Sequence, residues 1–471
     1  MARPRWMARR SAPTGVATTG RTDTAPVATR PAARGEGRVL GWEPPFFYGW
    51  VLAGVGFTAN MLNGALLFHA FGTYVVLLRD EFGWSKTSFS LAFALMRVES
   101  GLLGPIEGWA VDRFGPRSIM TLGTLIFGLG LMSLSLVNSL LTFYLVFLMM
   151  ALGSALGAFL PISVALVNWF DRRRALALSF LSLGFSAGGL ILPVVVFGLE
   201  TLGWREMSFV AGIIVLLVGL PMAQLVRHRP EDHGYHPDGA TDEEVMQQRA
   251  AGRREVNFTA RQALRTSSFW MISLGASASL LVFGAVAVHF QSHLKESMGL
   301  SLGTAAFATT VMTLMMIIAQ AIFGGFLGDR VNKQRVIVIA MFGHTVALLF
   351  LAFGTNLWAV MAFAVINGLA MGTRGPLMQA MRADYFGRES FGTIMGFSSL
   401  VMMFGIVTGP LLAGLSFDVL GDYRPAFVLL ALLSALGSVF FMLARPPTPP
   451  AQGGRATAGS EPALAPGTVT V

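Results

Sequence analysis

Apolar runs of bilayer length alternate with short polar turns along nearly the whole of this chain. About 20 mostly apolar residues carry a helix across the hydrocarbon core. The pattern predicts twelve such helices, over 47–78, 87–110, 118–137, 141–168, 174–198, 206–226, 269–294, 302–327, 334–354, 356–381, 391–417 and 424–444. Three polar stretches stand outside it. Residues 1–45 are rich in Ala, Thr, Pro, Gly and Arg, and residues 445–471 in Pro, Ala and Gly; neither has an apolar period, and both read as disordered tails. The first also lacks the apolar core of a secretory signal. Residues 227–268 divide the helices six and six, as a linker with a short amphipathic helix expected within 241–265. The expectation is an all-α integral membrane protein: a basic tail (1–45), a six-helix bundle (46–226), a linker (227–268), a second bundle (269–444) and a short tail (445–471).

Composition sharpens this. The 471 residues are 54% hydrophobic and only 13% charged, against roughly 25% charged in soluble domains. There is no cysteine, so disulfides, thiolate metal sites and cysteine nucleophiles are excluded. No helix carries a metal-ligand cluster or a nucleophile with its base; the chain reads as no enzyme, with no tight cofactor. A net charge of +9 would suit nucleic acid, but its distribution points to the bilayer. With both tails on one side, only Arg79, Lys86, Arg205, Lys295 and Arg424 fall in the loops of the other. That bias places tails and linker in the cytoplasm, against an anionic leaflet, as in a bacterial inner membrane. No nucleic-acid partner is expected, and the transport unit reads as one chain.

The two bundles repeat each other. Asp112-Arg113 maps to Asp329-Arg330, Phe170 to Phe386, Pro193 to Pro410, and Pro161 falls within one place of Pro376. The duplicated turns are Gly108-Trp-Ala-Val-Asp112-Arg113-Phe-Gly115-Pro116-Arg117 and Gly325-Phe-Leu-Gly-Asp329-Arg330-Val-Asn-Lys333-Gln-Arg335. An Asp-Arg turn between membrane helices must sit where water or phosphate solvates it. Small residues four apart, Gly153/Gly157, Gly184/Gly188, Gly392/Gly396 and Gly405/Gly409, mark faces for close helix approach.

The turns resemble the signature loops 2–3 and 8–9 of the major facilitator superfamily of secondary transporters. The resemblance implies two pseudo-symmetric six-helix bundles that rock about a central site near the midplane. It also implies that Gly108, Asp112, Arg113, Gly115 and Arg117, with Asp329, Arg330 and Arg335, tie helix ends together and hold one conformational state. Phe47-Tyr48-Gly49-Trp50, Glu81-Phe-Gly-Trp84, Asn168-Trp-Phe170 and Gly203-Trp204-Arg205 resemble the monocarboxylate-transporter and oxalate/formate-antiporter branch. The chain departs from that branch where its lactate/proton carriers have an Asp and an Arg on helix eight: Met315-Met-Ile-Ile-Ala-Gln320 carries no charge.

Charges within helices therefore decide the chemistry. An Arg or Glu at the bilayer centre costs about 2.5–3.5 kcal/mol. Arg374 lies on helix ten, which lines the cavity in the resembled family, and is the first candidate for holding an anion; Arg97 is the second. Asn60, Asn63 and Asn367 are amides at similar depth, open to ligand contact or to helix–helix bonding. Glu99, His69 and His289 are candidates for carrying a proton, and Glu107 reads as a brace for the adjoining turn. The expected activity is secondary transport of a small organic anion, a monocarboxylate by the resemblance, by proton symport or exchange. An exporter of amphipathic or apolar compounds is the alternative, and a transporter-like membrane sensor a third reading.

Overall fold

The computed structural model describes residues 46–250 and 257–448. The expected tails fall outside the described residues, apart from 445–448. In a medium without water, backbone N–H and C=O groups must be paired within the segment, and the described spans are all helical: α1 (Gly49–Phe82), α2 (Lys86–Phe114), α3 (Pro116–Leu134), α4 (Leu140–Trp169), α5 (Arg174–Leu190, continued by Leu192–Leu202), α6 (Trp204–Gln224), α7 (Ser267–Ser292), α8 (Leu302–Ala319, continued by Gln320–Phe326), α9 (Lys333–Phe353), α10 (Leu357–Phe386), α11 (Phe391–Leu420) and α12 (Arg424–Leu443). Ten are long and apolar enough to cross a membrane, and α5 joins them if its two segments, bent by 40°, form one span. The twelfth, α2, has 29 residues but interrupts its apolar face with Arg97, Glu99, Glu107 and Asp112.

Several helices outrun the hydropathy pattern, among them α2, which continues to Phe114 rather than 110, and α5, whose second segment continues to Leu202 rather than 198. α1 continues to Phe82 rather than ending at 78, and α10 continues to Phe386 rather than 381, which carries Arg382 into the helix. The helix expected within 241–265 is instead two pieces, Asp242–Ala250 and Ala260–Leu264. α1 and α8 each contain a wider π-helical turn, Gly64–His69 and Gln320–Phe326.

The paired glycines do what their spacing predicts. A Cβ on Gly153 would meet the backbone of Phe127 on α3, one on Gly184 the backbone of Phe57 on α1, and one on Gly405 or Gly409 the carbonyls of Ser277 and Leu281 on α7. Within each half, then, α5 lies against α1 as α11 lies against α7. Between halves the closest seam is α2 on α11, where Gly101, Gly104 and Gly108 face Met403, Gly396 and Gly392 in turn.

The apolar core is divided in a way that fixes the overall state. One cluster spans both halves and gathers helix ends on the side of the linker, including Trp169, Phe170 and Leu178 with Leu377, Phe386 and Phe391. At the opposite ends each half keeps a core of its own: Leu66, Phe89, Phe143 and Trp204 in the first, and Phe290, Leu348, Phe363 and Phe427 in the second. The halves share one core at the linker face and keep separate cores at the far one.

Candidate functional site

The joined face is held by the duplicated turns. Asp112, at the end of α2, accepts the backbone N–H groups of Gly392 at 3.0 Å and Thr393 at 2.7 Å and the Thr393 hydroxyl at 2.7 Å. It thereby caps α11 of the other half. Asp329 returns the arrangement: its carboxylate accepts the N–H groups of Ala175 at 2.8 Å and Leu176 at 3.1 Å, at the start of α5. A carboxylate at a helix N-terminus meets unpaired N–H groups and the positive end of the helix dipole. Burial holds the Asp329 carboxyl above its ordinary value, and the two N–H groups and Lys333 offset only part of that rise.

Glycine serves each turn differently. Gly108 has no room for a side chain, because a Cβ there would meet the backbone of Gly392. Gly115 takes φ +82°, a left-handed value that lets Pro116 begin α3 at once. The basic residues stay outside these caps. Arg117 binds the Gln224 side chain, Arg330 lies 5.0 Å over the Phe326 ring, and Arg113 and Arg335 are exposed. Further ties cross the same face: Arg174 to Asp384 at 3.1 Å, Lys333 to Asp384 at 2.8 Å, and Arg388 to Glu231 of the linker at 2.6 Å.

The four branch motifs prove to be two packed pairs. Phe47 and Tyr48 pack at a tilt against Trp169 at 5.6 and 5.4 Å, and Trp50 against Phe170 at 4.9 Å. At the far face Glu81 accepts from Arg205 and from the Trp204 indole.

Deeper in, the halves touch through polar side chains. Ser186 on α5 donates to Gln320 on α8 at 3.1 Å, and Ser163 on α4 to Gln379 on α10 at 3.5 Å. One turn from Gln379, Gly375 faces open space. Its neighbour Arg374 is 5% exposed, and its Nε has no hydrogen-bond partner. Among the described residues no ion pair reaches Arg374, so a structural salt bridge with an acid of the other half is not made here. Beside it, His344 on α9 bonds Asn367 at 2.8 Å through Nδ1, while its Nε2 is unpartnered.

The remaining candidates are placed as follows. Arg97 packs over Phe68 and Phe93 of its own half, at 5.3 and 4.9 Å. Glu99 accepts from Ser100 at 3.3 Å through one oxygen and leaves the other buried and unpartnered; Glu107 also has an unpartnered buried oxygen. Asn60 donates to the Gly56 carbonyl within α1, and Asn63 exchanges bonds with Ser154 on α4. The Asn367 amide oxygen accepts from His344 Nδ1, and its NH₂ reaches the Met312 sulfur. His69 bonds the Phe185 carbonyl and His289 the Pro410 carbonyl, equivalent α1–α5 and α7–α11 junctions. The amides and histidines are thus engaged by neighbouring backbone and helices, and among the described residues it is Arg374 and Arg97 that stand without an acid.

Sequence reasoning missed Arg382. It is 1% exposed, with the sulfurs of Met395 and Met402 beside its terminal nitrogens, at 3.5 and 3.7 Å. It also missed His344, whose signal was a lone imidazole inside an apolar run. Among the described residues no group of His, Asp and Glu is arranged to hold a metal ion.

Comparison with known proteins gives one family. The model described as Major Facilitator Superfamily matches residues 53–292 and 272–467. The chain is 26% identical to the Agnestins efflux protein AgnL12 of Paecilomyces divaricatus, over 80% of this chain and 83% of that one. It is 25% identical to Monocarboxylate transporter 11 of Mus musculus, over 84% and 87%. A solved structure of the proton:xylose symporter XylE superposes with a TM-score of 0.66 at 14% identity, covering 84% of this chain and 96% of the other.

Proposed function

The chain belongs to the Major Facilitator Superfamily of membrane transporters, and from that membership we propose that it carries a small organic anion by alternating access, in symport with protons or by exchange. One observation carries the reading: the Arg374 guanidinium is buried on α10, next to Gly375, which faces open space, and among the described residues no acid pairs with it. A buried cation left unpaired costs several kcal/mol, and a carboxylate entering from the open side would remove that cost by charge-assisted hydrogen bonds. The relative named for monocarboxylates supports this substrate class. Because α8 carries no charge, Arg374 takes the counter-charge role.

In this reading both termini and the linker are cytoplasmic, the described state is open to the outside, and one chain is the transport unit. Turning inward requires the Asp112 and Asp329 caps and the Arg174–Asp384 pair to break. The test is uptake of labelled carboxylic acids into proteoliposomes, with and without a pH gradient. Arg374→Ala should lose tenfold or more in uptake at low substrate, and Arg374→Lys should recover part of it. Unaltered carboxylate transport by Arg374→Ala would end the proposal. The second reading, export of apolar compounds, is favoured by the half-exposed Met312, Met315 and Met316 on α8 and by the efflux relative. It predicts transport of uncharged hydrophobic compounds that is indifferent to Arg374.

A further inference from the structure

We propose that the linker face carries a binding site for the phosphate group of an anionic phospholipid, in the recess where the start of α1, the α2–α3 turn and the end of α6 meet. The recess holds about 460 Å³, and the residues that line it include Arg117, Arg227, His228 and His233 but no carboxylate.

The recess is built rather than incidental. The Tyr48 hydroxyl donates to the Leu225 carbonyl at 2.7 Å, the Trp169 indole to the Arg227 carbonyl at 3.1 Å, and the Asn168 amide to the His228 carbonyl at 3.1 Å. Three side chains from α1 and α4 thus fix the backbone that presents Arg227 and His228. The Arg227 guanidinium lies 4.2 Å over the Tyr48 ring, and its Nη1 is buried with no hydrogen-bond partner. Two nitrogens of Arg117 are taken by Gln224, which holds its guanidinium at the rim. A planar guanidinium with donors to spare matches the tetrahedral oxygens of a phosphate. The buried Arg227 Nη1, left without a hydrogen-bond partner, calls for an anion or water supplied from outside.

The surroundings indicate a lipid as the source. The two helices bordering the recess turn apolar side chains outward: Leu122, Leu125 and Leu129 on α3, and Phe209, Ile213 and Leu217 on α6. In a membrane these face acyl chains. Trp109 and Phe114, exposed and edge-to-face at 5.7 Å, sit at the turn itself, where aromatic residues mark the headgroup level. Acyl chains along α3 and α6 bring a headgroup to the recess, and basic pockets at helix ends on the positive face recognise anionic headgroups. Gly115 lines the recess, so an occupant also touches the turn whose Asp112 caps α11.

The full chain, reconstituted in nanodiscs of phosphatidylcholine with phosphatidylglycerol and released gently, is examined by native mass spectrometry. Wild type should retain phosphatidylglycerol, Arg227→Gln should lose about tenfold or more of it, and Arg227→Lys should keep most. Arg265→Gln, which removes an exposed arginine of the same face outside the recess, should retain it fully. Thermal melts without phosphatidylglycerol check folding; should Arg227→Gln not fold, Arg117→Gln serves in its place, with loss again expected. Equal retention by wild type and the recess variants, or equal loss from Arg265→Gln, overturns the site. If inorganic phosphate stabilises wild type but not Arg227→Gln, while phosphatidylglycerol is not retained, the assignment to lipid is overturned and a soluble phosphate compound replaces it.

Discussion

Asp112→Asn removes one charge with almost no change of shape, and its cost follows from the cap. Both carboxylate oxygens are in use, one on the Gly392 N–H and the other on the Thr393 N–H and hydroxyl. The amide keeps a single acceptor oxygen, and its NH₂ must face an N–H donor. Hydrogen bonds to a charged group contribute about 1.5–3 kcal/mol, against about 1 for a neutral one, and one bond is lost outright. The joined face should therefore weaken by about 1–3 kcal/mol, which multiplies the opposite state about 5- to 150-fold. Natural absence of cysteine makes this measurable with one introduced thiol. Ser179 is 1% exposed on α5, wedged against Gly324 of α8 on the seam between halves. While opening is rare, maleimide labelling of Ser179→Cys scales with the opened population, so its rate should rise by that factor in Asp112→Asn. Asp329→Asn, capping a different helix, should add to it nearly independently. A labelling rate unchanged in the double variant, with folding intact by thermal melt, would refute the view that these caps hold the face together.

Two other outcomes follow from the geometry. Gly396→Ala places a Cβ against the Gly104 carbonyl and the Pro105 backbone, so α2 and α11 must part; a loss of about 1–3 kcal/mol by overpacking should appear as a lower melting temperature, whereas Gly54→Ala, with nothing within 4 Å, should stay near wild type. An equal effect at the two sites would contradict the described seam. Burial first, and Arg229 second, lower His228 from 6.5, with Asp232 opposing. Its neutral ring thus adds stability that is full above about pH 6.5 and lost as pH falls through the lowered value. His228→Gln should flatten the decline of melting temperature between about pH 7 and 5, and an undiminished slope would count against it.

What could be read from the chain was periodic or repeated. Helices announce themselves by apolar length, the bundles by their registered Asp-Arg turns, and the close seams by glycines four apart. Arg374 was legible because a guanidinium deep in an apolar run must be accounted for. Arg382 was not, because Met381-Arg-Ala-Asp-Tyr-Phe386 loses its apolar character just where α11, further along the chain, covers it. Hydropathy along one segment carries no information about what a distant segment shields. The same limit hid the partners of Asp112, which stand 280 and 281 residues away, and the pairing of Glu81 with Arg205. The histidines and amides looked available as isolated polar groups; their bonds to Phe185, Pro410, Ser154 and His344 depend on helix rotation, which composition does not specify.

Ser163 and Gln379 stand 216 residues apart, at matching places in the two repeats, and they touch each other. A position that meets its own counterpart lies on the axis of a two-fold assembly. Two identical six-helix subunits would make that same contact symmetrically, and would form the Asp-to-helix cap twice, as isologous interfaces do. Fusion into one polypeptide frees such twin positions to differ: a hydroxyl on one side and an amide on the other now form a directional bond that no homodimer could have encoded. Arg374 has no such twin, since Ala158 occupies the corresponding place. Joining the halves thus allowed a cation on one side without a matching cation at the equivalent place on the other.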